Sequence, residues 1–385
     1  MINIYQPSLG KEELNAVKDV FDSNWLGYGR NGTKQDEFVK MFAKKLVNVN
    51  FGVGIASPSS KYFTTISCCS EALFQAVNVY VNENDEVIIP SISFVAAANA
   101  VISKKAQPIF CDVDPNTLNP RVSDIEKCIT EKTKVIIILH YAGVPCDIES
   151  ILELCKKHNI KLIEDNASSP FSKVKGKSTG TFGDMGLWSF DPMKIITTGD
   201  GGMIYCHDKN ILQQIKYNTY LGLKSSGASN PVDDKWWEFD VELAGSKATM
   251  NDLSAAIGIE QLKKVDKFLA TRKLLHNTYN EELKTLSWLE IPKPISVFNE
   301  SSYYMYHIQL KSELDRNKLA RHLRDCGIYT TFRYYPLHWV KFYKSNVSLP
   351  NAEWAATHTL NLPLHQSLTQ KNIEYIIKSI KEFKT

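Results

Sequence analysis

The sequence predicts an α/β fold: a large domain with a mostly parallel sheet between helices, followed by a smaller C-terminal α+β domain. Three observations carry it. From residue 62 to 206, continuous apolar runs of strand length alternate with amphipathic stretches, as a sheet covered on both faces requires. After about residue 280 the texture changes to an alternating strand among short helices. At 385 residues, the chain exceeds what one hydrophobic core ordinarily organises. The expected division is 1–250 for the large domain and 251–385 for the small one, linked by a long helix starting near 251.

Taken in order, Lys11 to Asp22 puts Leu14, Val17, Val20 and Phe21 at helical spacing, and Glu37 to Leu46 predicts a second amphipathic helix. Asn48 to Lys61 carries Gly, Pro and Ser and reads as a loop. Tyr62 to Ser67 predicts a strand, and the helix after it sets Ala72, Leu73, Ala76, Val77 and Val81 on one face. Further strands are expected at Glu86–Pro90, Gln107–Val113, Val135–Leu139, Ile160–Glu164, Gly186–Phe190 and Gly202–Cys206. Helices are expected between them at Phe94–Ile102, Val122–Thr130 and Ile148–Lys157. Residues 207–250 are less regular. Their Trp236-Trp237 pair reads either as a substrate or subunit loop or as a satellite cluster. Asn251 to Tyr279 is the long helix, with Asn251 or Asp252 as its N-cap. A strand at Tyr303–Leu310, a helix at Arg316–Asp325, a strand at Gly327–Phe332 and a helix at Asn372–Phe383 complete the chain.

Composition narrows the function classes. With 43% apolar and 23% charged residues the chain is globular, and a net charge of +3 gives no footprint for nucleic acid. The eight cysteines lack zinc-like C-x-x-C spacing and are expected as reduced thiols. Met1 to Pro7 has no basic start before an apolar region, and no apolar run approaches the ~20 residues of a membrane span. A cytoplasmic protein without membrane association is expected.

Two motifs dissolve in context. Gly27-Tyr28-Gly29-Arg30-Asn31-Gly32 has the form G-x-G-x-x-G but follows a helix rather than a strand, so it reads as a loop. Gly176-Lys177-Ser178-Thr179-Gly180 has the form G-x-S-x-G but sits in polar surroundings and predicts a hairpin, not a nucleophile elbow.

The residues at strand ends point elsewhere. In parallel sheets ligands gather at the carboxyl ends of the strands. Ser70, Phe94, Asp165 and the stretch from Ser189 to Lys194 all fall there, followed by the turn Gly199-Asp200-Gly201-Gly202. Lys194 is an amine in an apolar run, and Asp165 closes an apolar strand. That pairing suits a pyridoxal 5'-phosphate (PLP) enzyme: the amine forms a Schiff base, and the carboxylate keeps the pyridine nitrogen protonated. Ser70 opens a helix directly after a strand, so its N–H and hydroxyl suit a phosphate, with Ser189 as a second hydroxyl.

These residues resemble the DegT/DnrJ/EryC1/StrS family of PLP-dependent nucleotide-sugar aminotransferases, over nearly the whole chain. The carriers are Cys68-Cys69-Ser70-Glu71-Ala72-Leu73, Asn84 to Ala100, Glu164-Asp165-Asn166-Ala167, Gly180 to Asp184, Ser189 to Lys194, Met250 to Leu262, Tyr335-Pro336-Leu337-His338 and Leu362-Pro363-Leu364-His365. The resemblance implies the fold-type I aminotransferase architecture and a homodimer with shared active sites. It makes Lys194 the Schiff-base lysine and proton shuttle, and Asp165 the partner of the pyridinium nitrogen. Phe94 would stack on the ring, with Cys69, Ser70 and Ser189 around the phosphate and Lys247 completing the phosphate site of the neighbouring subunit. The chain departs from the family pattern at four residues, and its stretch from Asn48 to Lys61 is longer than typical. Cys69 stands for the usual Gly, Lys247 for Asn and Thr249 for Arg, and Ser168 occupies the position of a Gln or His that holds the cofactor hydroxyl.

The implied activity is transfer of an amino group from a donor, L-glutamate, to a nucleotide-linked keto-sugar. The alternatives are another PLP reaction of the same fold (sugar dehydration, or transamination of a small keto-phosphate) and a non-catalytic PLP-binding relative. A lysine at position 194, where related dehydratases carry His, favours transamination.

Overall fold

The computed structural model describes residues 1–27, 34–47, 59–225 and 237–383. Most of the two expected loops at 27–32 and 48–61, and Trp236 of the tryptophan pair, lie outside the described residues. The chain opens with helices α1 (Lys11–Asp22) and α2 (Lys34–Val47). Strands and helices then alternate: β1 (Phe63–Ile66), α3 (Cys69–Tyr80), β2 (Glu86–Pro90), α4 (Val95–Ser103), β3 (Gln107–Cys111), α5 (Val122–Glu126), β4 (Thr133–Leu139), α6 (Ile148–His158) and β5 (Lys161–Asp165). The hairpin β6 (Lys173–Val174) and β7 (Lys177–Ser178) occupies the expected polar turn and is followed by β8 (Met185–Ser189), β9 (Gly202–Cys206) and α7 (Lys209–Asn218). β10 (Leu223–Ser225) pairs with β11 (Asp240–Val241) before the long helix α8 (Asp252–Leu283). The remainder holds β12 (Leu289–Glu290), β13 (Asn299–Glu300), β14 (Tyr306–Leu310), α9 (Glu313–Asp325), α10 (Pro350–His358), β15 (Thr359–Leu362) and α11 (Gln370–Lys381).

Seven strands form the central sheet in the order β1-β9-β8-β5-β4-β2-β3. All run parallel except β9, which is antiparallel to both neighbours. Burial alternates along the central strands. Val87, Ile89, Val135, Ile137 and Ile163 pack into one core, and Ile88, Ile136, Ile138 and Leu162 into another on the opposite face. The carboxyl ends of β1, β2, β4, β5 and β8 therefore share one edge, and reversal of β9 brings the turn before Gly202 to that same edge.

A third core joins α8, α9 and α11 to β14 and β15. Helix α8 serves two cores: Ala255 to Phe268 pack with the central sheet, and Leu275, Tyr279 and Leu283 with the third core. Between them lies Arg272, fully buried and without a carboxylate partner among the described residues. It donates to the carbonyls of Tyr303, Tyr304 and Leu364 at 3.2, 3.2 and 3.0 Å and to Gln366 Oε1 at 2.9 Å.

Several elements differ from expectation. Leu14 and Phe21 of α1 are 68% and 58% exposed, because α1 turns Glu13 and Val20 inward instead. Gln261 Nε2 donates to Glu13 at 2.7 Å and Lys264 Nζ at 2.8 Å, so a polar contact docks α1 on α8. The helix expected to reach Thr130 ends at Glu126, where Thr133 Oγ1 accepts the Thr130 N–H at 2.9 Å and starts β4. Gly327–Phe332 is not a strand. It makes only two isolated bridges, Ile2 to Ile328 and Thr331 to Asn361, to different partners. Within 207–250, α7 forms on a cap from Asp208, which accepts from Asn210 N and Ile211 N.

Two buried histidines make the fold acid-sensitive. His307 Nε2 donates to the Asn116 carbonyl and His365 Nε2 to the Asn3 carbonyl, while each Nδ1 is buried without a partner among the described residues. Burial pushes both down to about 4, against about 6.5 in the unfolded chain. Below pH 6.5 the unfolded chain binds protons that the folded chain refuses, so stability is lost as pH falls from about 6.5 toward 4, by up to about 3 kcal/mol per histidine. Urea midpoints should fall from pH 7.5 to pH 5, and less so in His307→Asn; equal slopes in the two proteins would rule out this histidine as a source.

Candidate active site

At the shared strand edge a cavity of about 210 Å³ is lined by Cys69, Ser70, Phe94, Asp165, Ser189 and Lys194, all expected from the sequence, and by Tyr334 and Arg333, which were not. Each is placed by a local cause. Cys68 caps α3 in extended backbone, its sulfur accepting from Glu71 N, so Cys69 and Ser70 present the first-turn N–H groups of α3 to the cavity. Phe94 precedes α4, stays 46% exposed and meets the Tyr334 ring at 5.8 Å. Ser189 ends β8, and Lys194 follows in a turn where its N–H donates to the Asp191 carbonyl at 2.9 Å.

Asp165 ends β5, buried, with one oxygen accepting the Ala167 N–H at 2.9 Å. Its neighbour Glu164 points to the opposite face, as strand alternation requires. Fully buried, Glu164 accepts from Gly180 N at 2.7 Å, Phe182 N at 2.8 Å, Gly183 N at 2.7 Å and His140 Nε2 at 3.1 Å. Gly180 makes this possible through a left-handed φ of +85° that a side chain would oppose.

The electrostatics suit an incoming cation next to Asp165 and hold the Lys194 amine protonated. Burial raises the Asp165 carboxyl, only partly offset by the Ala167 N–H, Lys194 and His140. Burial pulls the Lys194 ammonium down, but Tyr304, Tyr334, Asp165 and Cys69 outweigh it and leave it above the ordinary lysine range. Lys194 Nζ stands 5.1 Å over the ring of Tyr304, which stacks on Tyr5 at 5.3 Å. Burial, then Asp165, pushes the Cys69 thiol well up, so it remains protonated.

Two expected residues stand apart from the lining. Ser168 is fully buried near Tyr334, its hydroxyl without a hydrogen-bond partner among the described residues; burial raises the Tyr334 phenol, and Ser168 offsets that only in part. Lys247 is exposed, forms a backbone bridge with Tyr220 and does not line its own chain's cavity. Arg333 and Tyr334 were missed because their segment enters from beyond α9. The signal was there in their position beside the Tyr335-Pro336-Leu337-His338 motif. That segment is fastened to the end of β2, where the Ser91 hydroxyl meets His338 Nδ1 at 2.6 Å and Leu337 N donates to the Ser91 carbonyl at 2.8 Å.

The residues present fit PLP. The cavity offers an amine, a buried carboxylate lacking a cationic hydrogen-bond partner, and helix N–H groups beside two serine hydroxyls. The comparisons with known proteins agree. Residues 7–381 match the DegT/DnrJ/EryC1/StrS aminotransferase family. The chain is 40% identical over 380 residues to a dTDP-4-dehydro-2,3,6-trideoxy-D-glucose 4-aminotransferase of Saccharopolyspora spinosa, covering 98% of this chain and 95% of that one. It is 34% identical over 389 residues to a GDP-perosamine synthase of Escherichia coli O157:H7, covering 99% and 98%. The crystal structure of an aminotransferase, TlmJ from Streptoalloteichus hindustanus, superposes with a TM-score of 0.90 at 41% identity, covering 99% and 98% of the two chains.

The Glu164 cluster generates a stability prediction. Glutamine at 164 keeps one acceptor oxygen and turns an NH₂ toward backbone donors, leaving buried groups unpaired. Glu164→Gln should lose about 3 kcal/mol or more, read as a lower urea midpoint at unchanged slope; an unchanged midpoint would show that these bonds do not hold the fold.

Proposed function

The chain belongs to the DegT/DnrJ/EryC1/StrS aminotransferase family, and we propose that it is a PLP-dependent aminotransferase that moves an amino group from L-glutamate to a keto-sugar carried on a nucleotide. The observation that carries this reading is the convergence of Lys194, Asp165 and the α3 N-terminus on one cavity. The relatives named for dTDP- and GDP-linked sugars support the substrate class.

Bound PLP supplies an electron sink for the carbon next to the transferred nitrogen. The chain supplies everything else. Asp165 would hold a proton on the ring nitrogen, a pairing that would relieve the burial penalty now raising its carboxyl. Lys194 would hold the cofactor through its amine and would serve as the positioned general acid–base at the substrate carbon. Phe94, lining the cavity just before α4, would lie against the cofactor ring. Cys69 and Ser70 N–H groups, with the Ser70 and Ser189 hydroxyls, would hold the oxyanion end.

This oxyanion end lacks a cation of its own. Lys194 and Arg333 are the basic residues lining the described cavity, and neither lies on α3. Lys247, exposed on the surface of its own chain, supplies that charge to the site of a second copy. The protein is therefore proposed to act as a homodimer with shared active sites, in the cytoplasm. Among the described residues no helix is long and apolar enough to cross a membrane. The division into a large domain, 1–250, and a small one, 251–385, belongs to the same proposal.

Absorbance tests the reaction. Wild-type protein with PLP should show a lysine-linked band near the visible edge that L-glutamate bleaches. Lys194→Ala should lack that band and lose turnover by roughly 10⁴-fold. A band unchanged by the substitution would show that another amine holds the cofactor.

Subunit mixing tests the shared site. Lys194→Ala and Lys247→Ala chains, each impaired alone, should recover about a quarter of wild-type activity once unfolded together and refolded. Half the dimers are then mixed, and each mixed dimer holds one intact site of two. No recovery from two separately impaired proteins would place Lys247 in its own chain's site or in none.

A further inference from the structure

Ser91, His338 and Glu353 stand in line beside the segment that closes the cavity. The Ser91 hydroxyl meets His338 Nδ1 at 2.6 Å, and His338 Nε2 meets Glu353 Oε1 at 3.4 Å. Glu353 Oε1 also accepts the Leu349 N–H at 2.8 Å and the Ser348 hydroxyl at 3.2 Å, and the Leu349 N–H holds its carboxyl below the ordinary range. Burial lowers His338, and Glu353 and Asp112 oppose that only in part, so the imidazole is neutral at neutral pH. Its one proton then sits on Nε2, facing the carboxylate, and Nδ1 accepts from Ser91.

In outline this is the nucleophile, base and acid of a serine hydrolase. It cannot act as one, because Ser91 is fully buried and does not line the cavity. Its place in the chain gives it another use. Ser91 follows β2 and stands three residues before Phe94, and His338 stands four residues after Tyr334. Phe94 and Tyr334 both line the cavity, and their rings meet at 5.8 Å. The Ser91 N–H donates to the Cys111 carbonyl at 2.9 Å, which ties it to the end of β3, and its carbonyl accepts the Leu337 N–H at 2.8 Å. Glu353 lies on α10, which is capped from Asp112 just after β3. His338 thus joins the end of β2, α10 and the Tyr334 segment. Phe94 is 46% exposed, so packing alone leaves its ring loose. Side chains at a site are held to productive geometry by bonded residues behind them.

We infer that His338 is a positioning residue: through its Nδ1 bond to the Ser91 hydroxyl it sets the spacing of Phe94 and Tyr334, and with it the fit of the cofactor between them. This rests on the PLP aminotransferase reading above.

The test compares PLP-loaded wild type with Ser91→Ala, His338→Asn, His338→Gln, and Ser91→Ala combined with His338→Gln. His338→Asn keeps an acceptor where Nδ1 stands, while His338→Gln reaches toward Glu353 and loses the Ser91 bond. The readouts are the PLP Kd from the lysine-linked band, kcat and KM with L-glutamate, and the urea midpoint. Ser91→Ala and His338→Gln should each weaken PLP binding by about tenfold and lower kcat by about ten- to a hundred-fold. His338→Asn should recover most of that loss, to within about threefold of wild type. The combined variant should be no worse than the worse single one, because both changes remove the same bond. A histidine that only held the fold would lower the urea midpoint and leave the PLP Kd alone. Wild-type Kd and kcat in Ser91→Ala overturn the inference. So do equal damage in His338→Asn and His338→Gln, or losses that multiply in the combined variant. If the PLP Kd follows the expected series but wild type never consumes L-glutamate, the positioning role stands and the aminotransferase reading falls instead.

Discussion

A single buried carboxylate organises the strand edge. Glu164 has three backbone N–H groups and the His140 imidazole around it, all from segments outside β5. Such a charge is tolerable in a dry core only when its oxygens are fully occupied. The arrangement ties the 180–183 turn and the end of β4 to β5 from one face. Because successive strand residues face opposite sides, fixing Glu164 also fixes Asp165 toward the cavity. Cys146 N donates to His140 Nδ1 at 3.0 Å, which makes Nε2 the protonated nitrogen and orients the pair. The acid in the cavity is aimed by an acid that never reaches it.

The second dependence runs through the C-terminal part of the chain. The cavity is open-ended on the sheet alone, and Arg333 and Tyr334 close it from a segment fixed by Asn361 of β15 and by Ser91 after β2. Arg272 ties α8 to the carbonyls on either side of β14 and β15, so the two packing regions along α8 share one buried charge satisfied by dipoles alone. Burial pulls its guanidinium down to about 10, which still leaves it protonated at neutral pH. The helix therefore acts as a beam whose middle is locked to the segment leading into Tyr306. Movement of the C-terminal part relative to the sheet would have to break those bonds or carry α8 with it.

What could be read from the sequence follows the range of the interactions that decide each element. The parallel strands declared themselves as uninterrupted apolar runs, and β2 and β9 fall where expected because burial on both faces sets their composition. The cavity residues at β1, β2, β5 and β8 followed from the same rule, since strand ends can be located once strands can. Helix α10 could not be found this way. Its first N–H groups, at Asn351 and Ala352, are capped by Asp112, a residue far away in sequence, at 3.1 and 2.9 Å. The misjudged face of α1 has the same origin, since a buried Glu13 makes sense only once Gln261 and Lys264 stand opposite it.

The departure at Cys69 illustrates how a family position can change without loss of its geometry. A glycine at such a turn is needed where φ is positive or where backbone must come close. Neither holds at this position. Cys68 is extended at φ −162° and ψ 162°, and Cys69 begins α3 in helical conformation, so any L-residue fits. The close approach lies across the sheet instead. A Cβ on Gly202, at the start of β9, would meet the Cys68 carbonyl carbon and Cys69 N at 3.0 Å each. Gly202 thus provides the room that lets β9 pass beside the α3 N-terminus, and the side chain at 69 is free to be a small buried thiol. Its high protonation threshold keeps that thiol neutral, so the exchange adds no negative charge where an oxyanion is proposed to bind.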